Sequence, residues 1–260
     1  MLKEIIISIQ AYLHTHRFII KHRLWKWIII PGLIYTILFC LGIYLFWVSS
    51  SSAIEFMLAK TGVKEWMDKM QNSWLSFLLI FGQLILNLIL LLFYFSLFKY
   101  LFLIIGSPLF AYLSEKTESI MEGRDFPFNL KQLLKDIVRG IRLAIRNMLW
   151  QTVYTISILI LSFIPLVGWV TPLLALLVEC YYLGFSMLDY SSERNKLSTT
   201  QSIMFIGRHK GLAIGNGLVF YMMHFIPLLG WLLAPSYAVI AATISLYNTK
   251  KADENTAGKN

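Results

Sequence analysis

Charged side chains are scarce in this sequence. Asp, Glu, Lys and Arg make up 14% of its 260 residues, against about 25% in a soluble domain. A water-soluble chain of this length would cover one or two cores with polar surface, and that surface is missing. Cysteine is nearly absent too. Cys40 and Cys180 lie far apart inside apolar stretches, so they read as small buried hydrophobes, with no disulfide framework and no metal-ligand spacing. No stretch alternates apolar and polar residues in segments of about 10, as a transmembrane barrel would require. His-Glu-x-x-His, Gly-x-Ser-x-Gly, a phosphate-cradling Gly-rich loop and paired intramembrane aspartates are likewise missing. The sequence therefore carries no enzymatic signature, no cofactor motif and no metal site.

What is present is hydrophobic, at 57% of the residues, and it runs in blocks. These are Ile28–Trp47, Trp74–Ile105 (broken only by Gln83, Asn87 and Lys99), Met148–Leu188 and Leu212–Tyr247. About 20 apolar residues cross the hydrocarbon core as a helix, so each block is a candidate for insertion. The net charge of +9 falls between the blocks, where cations set topology and meet anionic headgroups; no nucleic-acid module accompanies it. Lys116, Arg124, Lys131, Lys135, Arg139, Arg142 and Arg146 place residues 106–147 and the N-terminus in the cytoplasm, with residues 48–73 outside. The first span is expected to end at Ser49–Ser52, and its apolar stretch is too long for a removable signal peptide. Residues 1–250 read as a single integral membrane domain, and 251–260 as a short disordered tail.

The second half contains a repeat. Phe163-Ile164-Pro165-Leu166-Val167-Gly168-Trp169 recurs as Phe225-Ile226-Pro227-Leu228-Leu229-Gly230-Trp231, each between apolar helical stretches. Pro165 and Pro227 end a helix, and Gly168 and Gly230 supply conformations that other residues avoid. A turn without polar residues suits burial at membrane depth. Each copy is thus expected to be a re-entrant hairpin, entering and leaving on one side; the alternative is a pair of short full spans joined by a tight external turn. The fold expected is an all-α membrane protein with two long transmembrane helices, two partly inserted helical hairpins and one basic amphipathic helix.

That last helix is residues 129–148, with Asn129 as N-cap and Gln132 three residues on. At 100° per residue Lys131, Lys135, Arg139, Arg142 and Arg146 share one arc, opposite Leu130, Leu133, Leu134, Ile137, Val138, Ile141 and Ile145. The arc reads either as the edge of an interfacial helix against lipid phosphates or, at Arg139, Arg142 and Arg146, as a cytoplasmic vestibule that concentrates anions. Glu179 is the acid deep in an apolar block, and an intramembrane ionisable group points to function; His224, one residue before the second motif, is a candidate partner. Gln83 and Asn87 share a helix face and read as glue between helices.

Several segments together resemble the sulfate permeases of bacterial cysteine biosynthesis, which share a domain with the etoposide-induced protein 2.4 family. They are His22-Arg23-Leu24-Trp25-Lys26-Trp27 running to Pro31, Ser107-Pro108-Leu109-Phe110-Ala111 with Glu115-Lys116, Asp189-Tyr190, and Arg208-His209-Lys210-Gly211-Leu212. The resemblance implies sulfate or a similar oxyanion as substrate, no cofactor, a homo-oligomer in the bilayer, and a bacterial inner-membrane location with both termini cytoplasmic. It also implies an anion site at Arg23, Leu24 and Lys26, where the family has a Gly-Leu-Arg-Arg-like turn. Here Arg replaces the Gly and Trp25 replaces the first Arg. Lys26 then acts as a point charge where Arg would grip by two bonds. The rival function is a non-transporting membrane scaffold, related to the endoplasmic-reticulum members of the family.

Overall fold

Apolar sequence with few breakers propagates helix well past the thickness of a bilayer. The computed structural model describes residues 1–60, 73–124, 130–162, 170–192 and 198–257. Among them are eight helices and no strand: α1 (Leu2–His22), α2 (Trp25–Lys60), α3 (Ser73–Glu122), α4 (Leu130–Ser162), α5 (Thr171–Ser192), α6 (Thr199–Arg208), α7 (Lys210–His224) and α8 (Leu229–Ala257). The all-helical membrane architecture is as the sequence led us to expect. The first copy of the repeat, with Pro165 and Gly168, lies outside the described residues, as does Asn129.

Element boundaries differ from expectation in four places. The apolar span closes at the serine run, as Trp25–Ser49, but the helix does not, because α2 continues to Lys60. Ser49 and Ser52 donate back to the carbonyls of Leu45 (2.6 Å) and Val48 (3.4 Å), satisfying their hydroxyls within the helix. α3 carries Pro108 inside it and runs 50 residues. The basic stretch before the first span is itself a helix, α1. At the other end α8 continues to Ala257, through most of the segment expected to be a tail. Among the described residues, Trp25–Ser49, Thr171–Ser191 and Leu229–Lys251 are long and apolar enough to cross a membrane.

The chain divides into two compact units, Met1–Thr36 with Phe102–Asn260, and Ile37–Leu101. In the second, the Phe39 and Phe98 rings meet edge to face at 6.0 Å, and Leu41, Ile43, Leu45, Trp47 and Val48 are exposed. An apolar helix with such a surface is built for lipid.

The first unit is organised around α7, which packs on α1, α5 and α8. Lipid tails are as apolar as Leu, so helices in a bilayer associate through close van der Waals packing and interhelical hydrogen bonds. α7 uses both. A Cβ on Gly217 would overlap the Cys180 carbonyl of α5, and one on Gly215 would press on Ser8 and Ile5 of α1. Across the first of these contacts Gly184 of α5 meets the Ala213 carbonyl in the same way. The Ser8 hydroxyl donates to the Leu212 carbonyl (2.8 Å) and Tyr12 to the Asn216 carbonyl (2.9 Å). Burial, with the Cys180 thiol adding to it, raises the Tyr12 pKa well above 10.0, so its hydroxyl stays a donor. α1 therefore buries its small polar side, Ser8, Ala11, Tyr12 and Thr15, and exposes Leu2, Ile6, Ile9 and Leu13.

The second repeat copy turns between α7 and α8 with its backbone satisfied internally. The N–H groups of Phe225, Ile226, Leu229 and Gly230 donate to carbonyls of Met222, Met223, Pro227 and Ile226 at 2.7–3.3 Å, and the Trp231 indole donates to the His224 carbonyl. Leu228 adopts φ 62°, and at Gly230 a Cβ would overlap the Met223 carbonyl. Phe225 (85% exposed), Ile226, Leu228 and Leu229 form an apolar tip.

Gly217→Val should lower the midpoint of thermal unfolding in detergent by several degrees, since overpacking a close contact costs about 1–3 kcal/mol. Gly207→Ala, at a helical position with nothing within 4 Å of the added carbon, should leave it unchanged or raise it. Equal behaviour of the two variants would remove the close contact as the organising feature.

Candidate functional site

Four helices bring polar side chains together inside the apolar blocks. Glu179 of α5 accepts at Oε1 from the Gln151 amide of α4, and at Oε2 from the Tyr221 hydroxyl of α7 (2.9 Å). Gln151 is fully buried. One turn along α7, His224 meets Tyr35 of α2 with Nε2 to Oη at 2.6 Å, and its Nδ1 lies 3.1 Å from the Phe220 carbonyl. A carbonyl only accepts, so Nδ1 carries a proton and Nε2 accepts from Tyr35 in the neutral ring. The Tyr221 and His224 rings lie 6.5 Å apart, so Gln151, Glu179, Tyr221, His224 and Tyr35 form one cluster. Pairing of Glu179 with His224, the arrangement suggested by sequence, is not what forms: each takes a tyrosine, and the two tyrosines separate carboxylate from imidazole. Gln151 interrupts its apolar block visibly, but nothing in the sequence marks Tyr35 or Tyr221 among so many tyrosines.

The residues proposed for anion binding sit at the α1–α2 turn. Arg23 closes α1 in the left-handed conformation, φ 53° and ψ 41°, with Leu24 N–H donating to the Ile19 carbonyl (3.1 Å). That is the αL helix-end position that favours glycine, which accounts for a Gly at the matching place in the family's turn. Leu24 is 3% exposed and anchors the turn; Arg23 and Lys26 are exposed at the entrance to α2. The first N–H groups of α2 and its dipole add positive potential there. Leu24 thus contributes by position, and the charges come from Arg23 and Lys26.

The three arginines read as a vestibule take different places. Arg139 pairs with Asp189 of α5 at 3.0 Å, and Ser202 of α6 donates to the same carboxylate oxygen. With Asp189 4% exposed, this pair binds α4, α5 and α6 together. Arg146 donates to Asn147 (3.0 Å) and lies over the Phe185 ring, 5.9 Å from its centre. Arg142 is exposed, beside Lys131, Lys135 and Arg139, in a groove on α4. No described group of three or more His, Cys, Asp or Glu has metal-binding geometry.

Long apolar helices, small-residue packing and a part-buried polar cluster between them define a multi-pass helical membrane protein. Residues 11–235 match the family described as Sulfate transporter CysZ/Etoposide-induced protein 2.4, and the chain belongs to that family. A protein named Sulfate transporter CysZ from Pseudomonas aeruginosa (strain LESB58) is 30% identical over 185 residues, 69% of this chain and 74% of the relative. Proteins of the same name are 29% identical over 225 residues in Pseudomonas paraeruginosa (84% and 89%) and 27% over 243 in Pseudomonas syringae pv. tomato (91% and 90%).

Three stability changes follow. Glu179→Leu removes the acceptor shared by the Gln151 amide and the Tyr221 hydroxyl and should cost about 1–3 kcal/mol, while Tyr221→Phe, which drops one bond, should cost about 1. Arg23→Gly relieves a left-handed non-glycine residue and should gain about 0.5–1 kcal/mol. Thermal unfolding of the purified variants in detergent reads both signs, and a destabilised Arg23→Gly protein would contradict the assigned turn.

Proposed function

We propose that this chain is a permease for an inorganic oxyanion, sulfate, in a bacterial inner membrane, feeding cysteine biosynthesis. The observation that carries the reading is the likeness, over most of both chains, to proteins named sulfate transporters. The exposed cations at the head of α2 favour it. Arg23 and Lys26 lie where a helix N-terminus already attracts an anion, at the first residues of the Trp25–Ser49 span. The deeper cluster around Glu179 supplies the polar groups that a path through apolar helices needs. Its carboxylate would repel sulfate unless protonated or screened by its partners, so its role is to join the helices that line the path.

Partial insertion of the second hairpin is part of this proposal. His224, at the turn, meets Tyr35, nine residues beyond Lys26 on α2, or about 14 Å at 1.5 Å per residue. That is near half of the roughly 30 Å hydrocarbon core. A tip at that depth has no water to satisfy its backbone, and its internally bonded turn with an apolar surface suits such a place. Assembly as a homo-oligomer, with both termini cytoplasmic, would cover what a single chain leaves open. A non-transporting scaffold is the second reading, favoured by the large apolar surface of α1 and α4.

Purified protein in liposomes should carry labelled sulfate down its gradient, with chloride and phosphate as competitors. Lys26→Ala should raise the half-saturating sulfate concentration about tenfold, from loss of a charge-assisted contact. Absence of flux for every anion tested would sink the permease and leave the scaffold.

A further inference from the structure

α4 carries exposed cations and exposed apolar side chains on the same side. Lys131, Lys135, Arg139 and Arg142 line a shallow, open groove on one face of α4, about 470 Å3, together with Leu134 and Val138, and among the described residues no carboxylate lines it. The wall at Arg139 is held in place by its bond to the buried Asp189. Leu134 and Val138 are more than half exposed, and Lys131, Lys135 and Arg142 are exposed too. From the groove an apolar stripe continues down the same helix through Ile145, Leu149, Val153, Ile156 and Ile160, each exposed.

Depth distinguishes this from a patch facing water. Arg142 lies nine residues before Gln151, about 14 Å along α4. Lys26 lies the same distance before Tyr35 on α2, and the two helices meet the polar cluster at Gln151 and Tyr35. Along α4 the distance from Gln151 grows from about 14 Å at Arg142 to about 30 Å at Lys131, so Arg142 stands about one leaflet's hydrocarbon depth from the cluster, the lysines lie further out, and the stripe from Ile145 lies on the cluster side. A free oxyanion would leave the apolar stripe unused. A molecule with a phosphate at the interface and hydrocarbon below it would use cations and stripe alike.

We propose that this face of α4 binds one anionic phospholipid, its headgroup phosphate held by Lys135 and Arg142 with Lys131 adding positive potential further out, and an acyl chain laid against the stripe beginning at Ile145. Arg139 shapes the wall through Asp189 and is not itself the main ligand. The assignment is independent of what the chain transports.

Native mass spectrometry of the full chain in detergent, titrated with phosphatidylglycerol or phosphatidylcholine, tests it. Wild type should retain phosphatidylglycerol in preference to phosphatidylcholine. The K131Q/K135Q/R142Q variant should bind phosphatidylglycerol roughly a hundredfold more weakly, at about 1 kcal/mol for each cation near the surface. The I145N/L149N variant, which keeps every charge, should weaken it by roughly fivefold or more. Inorganic phosphate or sulfate in large excess should not displace the lipid. Displacement by either ion would make this a free-oxyanion site and overturn the proposal. Equal retention by the triple variant, equal retention of the two lipids, or no retention by wild type, as when a second copy covers the groove, would overturn it as well.

Discussion

The close approach of α7 to its neighbours is the constraint on which the rest of the first unit depends. Backbone meets backbone where Gly217 and Gly184 cross between α5 and α7, and where Gly215 meets α1. In a solvent of hydrocarbon there is little gain from hiding apolar side chains, so contact distance and hydrogen bonds decide which helices associate. Once α7 is seated, Tyr221 and His224 point toward α5 and α2, and the polar cluster can close. A larger residue at those crossings would push apart the helices that hold Glu179 between Gln151 and Tyr221.

That packing also sets the helices that precede the two repeat copies differently against the cluster. The second turn follows the cluster almost at once, since His224 belongs to both. In the first hairpin α4 continues past Gln151 to Ser162, about three further turns, and α5 enters at Thr171, two turns before Glu179. The outer part of that hairpin is exposed on both arms, at Val153, Ile156 and Ile160 and again at Leu173, Leu176 and Leu177.

Electrostatics follows the same division. Basic residues that share one arc of α4 separate by what lies across from them. Arg139 faces a buried carboxylate and becomes part of the fold, Arg146 lies over Phe185, and Arg142 is left with the lysines at the surface. A helical wheel gives the angle of each side chain and nothing about the neighbouring helix, so the arc looked uniform. The capping box of α6, with Ser198 accepting from Gln201 N–H and Gln201 accepting from Ser198 N–H, was equally readable in principle, since both partners are local. Tyr35 and Tyr221 were not, because their partners are 189 and 42 residues away.

The sequence by itself determined that this is a helical membrane protein, where its apolar blocks lie, and that Glu179 is an unusual place for charge. Those conclusions rest on burial cost and helical period, which are local properties of a chain in lipid. Only the tertiary structure decided that Glu179 takes Gln151 and Tyr221, that His224 takes Tyr35, and that the arginines of α4 part company. Each of those depends on which helices the glycines allow to touch, and distance between helices is not written in the spacing along any one of them.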